Sequence, residues 1–456
     1  MTSVLLIYPF FKPALDRSVF RFPPLGIAYL AASLRKEGYV VQLLDCTFLS
    51  KRKALQQAVE TRAEIVGIYA MVTMAEDAME FARHLRQQTR LLIAGGPLPT
   101  CDPLPFLEVF DVIVRGEGEH TLVHLLHNYQ KGTDFNSIPG IAFRRSGSAK
   151  GSGKPRTIIT EPGGFEKNLD RIPFPARDLF PNKEYQQHSR KKSGYTITTI
   201  MSTRGCPYRC EFCSNVIFGG SYRERSARNV ADEIEQALNL GYDRISFADD
   251  VFTLNKKRVL QICTEIEKRK LHFAWECLGR VDSLDEATAF AMKETGCYRI
   301  YFGIESGSQR ILDLMQKKIT VQQARDAVEI AHKTGMEVGA FFIIGYPGET
   351  TSTILETIHF ATSLHVDYLG LTLPYPLPGT PLYERVKTKI RREWRSKENV
   401  FSSHTLIFKS DFSPLKLQFG IYKGKLQLLL KKGLGDTSRV FSFFEKSTDW
   451  IFRTFR

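Results

Sequence analysis

Two successive strand–helix series followed by a basic tail predict an α/β protein. The first series reads as a Rossmann-like domain over 1–135. A linker and hairpin follow at 136–194, then a partial (β/α)6 barrel over 195–385 and a basic, mostly helical extension over 386–456. In the first series, the short aliphatic runs 4–8, 39–44, 65–70, 91–94 and 112–114 predict strands. The stretches 27–37, 75–88 and 119–129, apolar at helical spacing, separate them. Strands alternating with helices give a parallel sheet covered on both faces, and ligands of such sheets sit at the carboxyl ends of the strands. Those ends are Tyr8-Pro9-Phe10, the run from Tyr69 through Met71, Val72 and Thr73, then Gly95-Gly96-Pro97 and Gly116-Glu117-Gly118-Glu119.

Residues 131–195 are rich in Gly, Ser, Pro and Lys, as in the SGSAKGSGKP run at 146–155, which predicts a hairpin and a wrapping linker. Six more strands are then expected at 196–201, 244–248, 273–278, 299–304, 337–344 and 368–373. Helices at 227–240, 256–268, 285–295 and 321–334 fall between them. Six βα units suit an open, partial barrel whose chemistry lies at the C-terminal strand ends.

Eight cysteines are present. Cys46, Cys101, Cys263, Cys277 and Cys297 stand singly in apolar or mixed surroundings and read as small buried hydrophobes. Cys206, Cys210 and Cys213 instead form a Cys-x3-Cys-x2-Cys loop directly after the first barrel strand. Three soft thiolates at that spacing converge on one face of a tight loop and suit a four-iron cluster with one iron left open. A structural zinc site is the alternative, but it would add a fourth Cys or His at short spacing, and the next cysteine is Cys263.

This loop, with Phe212 just before its last cysteine, resembles the signature of the radical S-adenosylmethionine (SAM) superfamily. The resemblance continues in order through Ser246-Phe247-Ala248-Asp249-Asp250, Arg280 and Asp282, Gly303-Ile304-Glu305-Ser306-Gly307-Ser308 and Gly345-Tyr346-Pro347-Gly348-Glu349-Thr350. It implies that Cys206, Cys210 and Cys213 hold a [4Fe–4S] cluster. It also implies that Phe212, Ser246, Asp249, Arg280, Glu305, Ser306, Gly345 and Pro347 surround SAM, whose cleavage yields a 5′-deoxyadenosyl radical.

The first domain resembles the cobalamin-binding domain that precedes the barrel in one large subfamily, through Pro23-Pro24-Leu25-Gly26-Ile27-Ala28-Tyr29-Leu30, Ala94-Gly95-Gly96-Pro97 and 111–119. The residues this implies at cobalamin are Tyr8, Pro9, Met71, Val72, Thr73, Gly95, Gly96, Gly116, Glu117, Gly118 and Glu119. The Asp-x-His-x-x-Gly motif of many cobalamin domains is absent, which leaves the lower face of cobalt to Tyr8-Pro9-Phe10 or Met71-Val72-Thr73. A G-x-G-x-x-G fingerprint after the first strand is also absent, which weighs against NAD.

The combination implies a radical SAM enzyme that methylates an unactivated carbon of a small-molecule, lipid or tetrapyrrole-like substrate, with an electron donor such as flavodoxin or ferredoxin. A ring cyclase of the anaerobic Mg-protoporphyrin ester type is the alternative. A tRNA methylthiotransferase would need a second three-cysteine site, and residues 1–135 hold only Cys46 and Cys101.

The chain carries +14, and 385–456 supply +11 of it from 17 basic and 6 acidic residues. Aromatics are interleaved there: Trp394, Phe401, Phe408, Phe412, Phe419, Tyr422, Phe441, Phe443, Phe444, Trp450, Phe452 and Phe455. A cap on the barrel, a foot on an anionic membrane surface and a lid over the substrate all fit this composition. Nucleic acid fits it less well. No apolar run is long enough to cross a bilayer and the start lacks signal-peptide character, so the expected location is the cytoplasm, with peripheral attachment at the inner face of the membrane as the tail's variant.

Overall fold

The computed structural model describes residues 3–11, 21–145, 156–390, 406–435 and 439–454. The 146–155 run, Trp394, Phe401 and Phe455 lie outside the described residues. The chain separates into two compact bodies. One takes in residues up to Thr199 and Asn215–Arg225, the other Ile200–Ser214 and the chain from Ser226 onward.

In the first body, β1 (Ser3–Tyr8), α1 (Leu25–Lys36), β2 (Val40–Asp45), α2 (Lys51–Thr61), β3 (Ile65–Tyr69), α3 (Ala75–Leu85), β4 (Leu91–Gly95), the short α4 (Pro97–Cys101), β5 (Val112–Val114) and α5 (Gly118–Lys131) alternate as expected. The hairpin β6 (Ile141–Arg145) and β7 (Arg156–Ile159) extends the sheet antiparallel, giving the order β2-β1-β3-β4-β5-β6-β7. Aliphatic side chains alternate across it. Val4, Leu6, Ile65 and Ile93 fill one core, while Leu5, Ile7, Val66 and Leu92 fill the other. Strand order reverses between β1 and β3, so a crevice opens at their carboxyl ends. Helix α2 was not among the expected helices, and α6 (Asn182–Ser193) replaces part of the expected linker. Both are polar helices with few buried residues, so apolar periodicity hardly marks them.

The second sheet runs β15-β14-β13-β12-β11-β8. Its strands are β8 (Ile197–Ile200), β11 (Arg244–Phe247), β12 (Ala274–Gly279), β13 (Cys297–Glu305), β14 (Glu337–Ile343) and β15 (Tyr368–Thr372), the six expected ones. The two-residue strands β9 (Thr203–Arg204) and β10 (Arg223–Glu224) stand apart from it. Helices α7 (Ala227–Asn239), α8 (Lys256–Lys268), α9 (Glu286–Glu294), α10 (Gln309–Leu314), α11 (Val321–Lys333), α12 (Thr351–Ser363) and α13 (Pro381–Val386) complete the series. Ser226, Asn255, Asp285, Thr320 and Thr350 cap α7, α8, α9, α11 and α12, each accepting from a backbone N–H of the first turn. Each strand-end loop thereby hands over to its helix at a defined residue.

The tail packs as part of this body. In α14 (Pro414–Leu434), Gly420 and Gly424 allow close approach: a Cβ on Gly424 would stand 2.4 Å from Leu371 Cδ1. Leu417, Ile421, Leu428 and, from α15 (Arg439–Thr454), Phe452 enter the same core as Ile344 and Ile358. Lys423 is fully buried and paired with Asp449 at 2.7 Å, and Asp449 also meets His359 Nε2 at 3.0 Å. Residues 426–430 thus lie in the second half of a helix bound to the barrel on one side.

Candidate active site

The cysteine loop leaves β8 and is held at both ends. Asp249, at the end of β11, is buried and accepts from Ser202 N (2.6 Å), Thr203 N (3.0 Å) and Ser202 Oγ. Burial raises its pKa. Its carboxylate positions the start of the loop. Glu211, between the second and third cysteines, ties down the other end. Its N–H donates to Met315 O (2.9 Å) and its carbonyl accepts from Leu382 N (2.9 Å). Its carboxylate accepts from Tyr346 Oη (2.6 Å) and from Arg385 Nη1 (2.9 Å). The sequence offered no sign of this strap, because its partners lie on α10's end, β14's end and α13.

Cys206 and Cys210 are half-buried and Cys213 is exposed. Burial and the neighbouring Asp250 and Cys210 raise the Cys206 thiol. Burial, Cys210, Asp250 and Cys206 push Cys213 up to about 12. The three thiols share one short loop that is held at both ends. Among the described residues no group of three His, Cys, Asp or Glu side chains closes around a single ion. A cubane meets each thiolate at a different iron, so its ligands stand farther apart than those of one ion, and the three-thiol donor set fits it.

At the end of β13, Glu305 adopts φ 74° and its Oε1 pairs with Lys317 Nζ at 3.1 Å, both largely buried. Gly303 makes this possible: a Cβ there would stand 2.6 Å from Glu305 Oε1 and 3.2 Å from Lys317 Nζ. Lys317 also lies 5.8 Å from the Phe212 ring. Arg280 holds the lysine's own loop, donating to Lys317 O (2.5 Å) and Lys318 O (3.0 Å), and pairs with Asp282 at 2.8 Å. Its guanidinium covers Tyr208 at 3.5 Å. Ser306 is fully buried and bonded to Thr357 Oγ1 (2.9 Å). Arg280 and Ser306 hold neighbouring backbone and side chains, Glu305 is buried beside Lys317, and Ser246 and Pro347 are half-buried at the strand ends. Gly345 has φ 83°, and its N–H and that of Tyr346 both donate to Glu349 Oε2, at 2.5 and 2.9 Å. Burial pushes Glu349 up to about 8, and its other oxygen is buried without a hydrogen-bond partner. A Cβ on Gly345 would stand 2.8 Å from Leu417 Cδ1, so the tail underlies this turn.

In the first body, Tyr8 and Tyr69 meet at the reversal point, ring centroids 5.5 Å apart, with Phe10 beyond Tyr8. Met71, Val72 and Thr73 follow β3 and stay partly to fully exposed. Gly96 has φ 111°, and a Cβ there would stand 2.5 Å from Ala70 O and 3.1 Å from the Tyr69 ring, so this edge has to stay bare of side chain for the end of β4 to pack on the end of β3. Gly95, Gly116 and Gly118 extend that bare edge. Glu117 is buried in an ion pair with Arg223, whose guanidinium covers Phe165 at 4.7 Å. Glu119 is buried in the first turn of α5. His84, His120, His124, His127 and His188 all lie on helices, as the missing motif implied.

Residues 200–361 match the radical SAM superfamily and residues 12–126 the B12 binding domain. An uncharacterized methyltransferase of Pyrococcus horikoshii is 37% identical over 395 residues, covering 84% of this chain and 82% of its own length. The chain belongs to the B12-binding radical SAM enzymes. Its cofactors are a [4Fe–4S] cluster, SAM and cobalamin. This radical SAM enzyme is also 28% identical, over 85% of its chain and 70% of the relative's, to the anaerobic magnesium-protoporphyrin IX monomethyl ester cyclase of Rubrivivax gelatinosus. Its fold superposes on the methyltransferase TsrM of Kitasatospora setae, solved with cobalamin and a [4Fe–4S] cluster, with a TM-score of 0.70 at 20% identity over 85% of this chain and 75% of that one.

Proposed function

We propose that this enzyme methylates an unactivated carbon of a small-molecule, lipid or tetrapyrrole-like substrate. The observation that carries the reading is a B12 binding domain joined to a three-thiol loop at the rim of the barrel, in a chain 37% identical to a methyltransferase. The bound groups supply reductive cleavage of a C–S bond, hydrogen abstraction from carbon and a transferable methyl group. Cys206, Cys210 and Cys213 are the cluster ligands in this reading, and Asp249 and Glu211 fix the loop that carries them. Glu305 and Lys317 offer SAM one carboxylate and one ammonium group, an arrangement suited to a zwitterion. The Gly345–Glu349 turn presents backbone to the nucleoside. In the first body, the strand ends Gly95, Gly96, Gly116 and Gly118 would admit cobalamin, and Tyr8, Pro9 and residues 71–73 would line its site without supplying a His ligand.

A flavodoxin or ferredoxin is the proposed electron donor, with the protein in the cytoplasm. No described helix is long and apolar enough to cross a membrane. The tail helices nevertheless expose Tyr422, Leu426, Leu429, Phe443 and Trp450, with Arg439, Lys446 and Arg453 exposed on the second of them. We assign this face to an anionic lipid surface, since aromatic anchors beside basic groups favour that interface. Salt-sensitive co-sedimentation with anionic but not neutral vesicles supports it, and equal binding to both removes it.

The test of function is anaerobic reconstitution with methyl-labelled SAM, followed by mass spectrometry of incubated extracts. Methyl transfer requires S-adenosylhomocysteine and 5′-deoxyadenosine together, with a product heavier by one CH₂. Deoxyadenosine without homocysteine product or added CH₂ assigns the chain to ring formation instead.

A further inference from the structure

The inner face of the barrel sheet carries a feature the cofactors do not account for. Along β13, Ile300, Phe302 and Ile304 are fully buried against the helices, while Arg299, Tyr301, Gly303 and Glu305 occupy the opposite side. There Tyr301 stacks on Phe341 of β14, with centroids 5.6 Å apart and planes 12° from parallel. Two missing side chains build the stack. Gly339 is the β14 residue beside Tyr301, and a Cβ on it would stand 2.2 Å from that ring. Gly370 is the β15 residue beside Phe341, and a Cβ on it would stand 2.5 Å from that ring. Each ring therefore lies across the glycine of the next strand, flat along the sheet. Phe341 is nonetheless 40% exposed, and Leu278, paired with Tyr301 from β12, is 39% exposed. An aromatic surface this large, left bare inside a barrel, is unusual for a purely structural layer.

The charge beside it is already satisfied. Arg299 donates to Glu337 (2.8 Å), Glu276 (3.2 Å), Tyr301 Oη (2.9 Å) and Tyr368 Oη (2.6 Å). Two carboxylates more than balance it, and it pins the Tyr301 hydroxyl, which fixes the ring against the sheet. Such a floor offers π-surface and apolar contact but no unpaired cation to hold an anionic ligand. Two and four residues further along β13, roughly 7 and 13 Å at strand rise, stand Gly303 and Glu305, the SAM-facing end in the proposed function.

We propose that Tyr301, Phe341 and Leu278 form the substrate floor of this enzyme, and that it takes a planar, uncharged, π-faced ring system. This rests on the proposed function for the identity of the neighbouring cofactor, but the floor is testable without turnover. Full-length reconstituted protein is dialysed against 2-naphthamide and, separately, cyclohexanecarboxamide, two neutral probes that differ in planarity. The wild type should retain the planar probe about tenfold better. Phe341→Leu should lose about tenfold in naphthamide affinity. Tyr301→Phe, which keeps the ring, should stay within about twofold. Gly370→Ala, which drives the Phe341 ring from its place, should weaken binding as Phe341→Leu does and covers the case in which that variant fails to fold. Equal retention of the two probes, or equal naphthamide binding by wild type and both weakening variants, overturns the proposal. Iron content, SAM binding and SAM cleavage are measured on the same preparations. Cleavage without planar selectivity removes only the floor, and planar selectivity without cleavage removes only the functional reading.

Discussion

The carboxyl ends of the two sheets present opposite chemistry. At the barrel rim, charged groups are buried and paired: Glu305 with Lys317, Arg280 with Asp282, Asp249 with the backbone of the cysteine loop. At the ends of β1, β3 and β4, the exposed crevice is made of Tyr8, Tyr69 and bare glycine backbone, and its neighbouring acid, Glu117, is neutralised by Arg223. The difference teaches what each edge is built to hold. A cluster and a small zwitterion need fixed thiolates and fixed charges, which burial strengthens. A large corrin needs room for close backbone approach and broad apolar contact, which glycines and aromatic rings supply.

The sharpest way to break this comparison is to remove a thiolate. Cys210→Ala should strip most iron and abolish SAM cleavage, a loss beyond about a thousandfold, while Cys263→Ala, Cys277→Ala and Cys297→Ala keep about four irons per chain. Iron analysis with a deoxyadenosine assay decides it, and equal iron loss in both groups would end the single-cluster reading. Next in size is deletion of the chain beyond residue 390. Because Leu417 lies under Gly345 and Phe452 is in the barrel core, the shortened protein should aggregate or lose SAM binding. A soluble truncated chain with unchanged SAM affinity would make the tail peripheral.

Lys317→Met should weaken SAM binding at least about tenfold, because it leaves Glu305 buried without its cation, and lower stability by about 3 kcal/mol. Iron content should stay constant, which separates the charge from the cluster. Gly96→Ala tests the other edge. Its φ of 111° and the approach to Ala70 O should cost about 1–3 kcal/mol and reduce cobalamin uptake, with SAM binding intact. Loss of both ligands together would show that the edges are not independent. The smallest effect concerns Glu349. Its folded pKa is raised from 4.5 to about 8, so the folded chain keeps a proton that the unfolded chain releases. Stability should therefore fall as pH rises from 4.5 through about 8. Glu349→Gln should flatten that window and raise the melting temperature by a few degrees above pH 8. A melting-temperature profile unchanged from wild type would contradict the burial argument.

Much of this was legible in the residues. Aliphatic runs separated by helical periodicity marked eleven strands of the two parallel series, because a strand buried on both faces has to be apolar along its length. Spacing alone exposed the cysteine loop, since its three residues are neighbours in the chain. Polar α2 and α6 escaped, having little apolar face to register. The tail's composition was plain, but its basic count hid two kinds of lysine: Lys423 is buried on Asp449, whereas Lys446 is exposed.

By itself, then, the sequence determined the order of strands and helices and the cluster loop, because those signals are local and periodic. The tertiary structure alone decided which carboxylates serve as supports. Asp249, Glu117 and Glu211 look like any acid near a motif until the backbone N–H or guanidinium that accompanies each is brought in from tens of residues away. It also decided the aromatic floor. Tyr301, Gly339, Phe341 and Gly370 sit on three strands, and only the lateral register of a parallel sheet lays each ring across its neighbour's missing side chain.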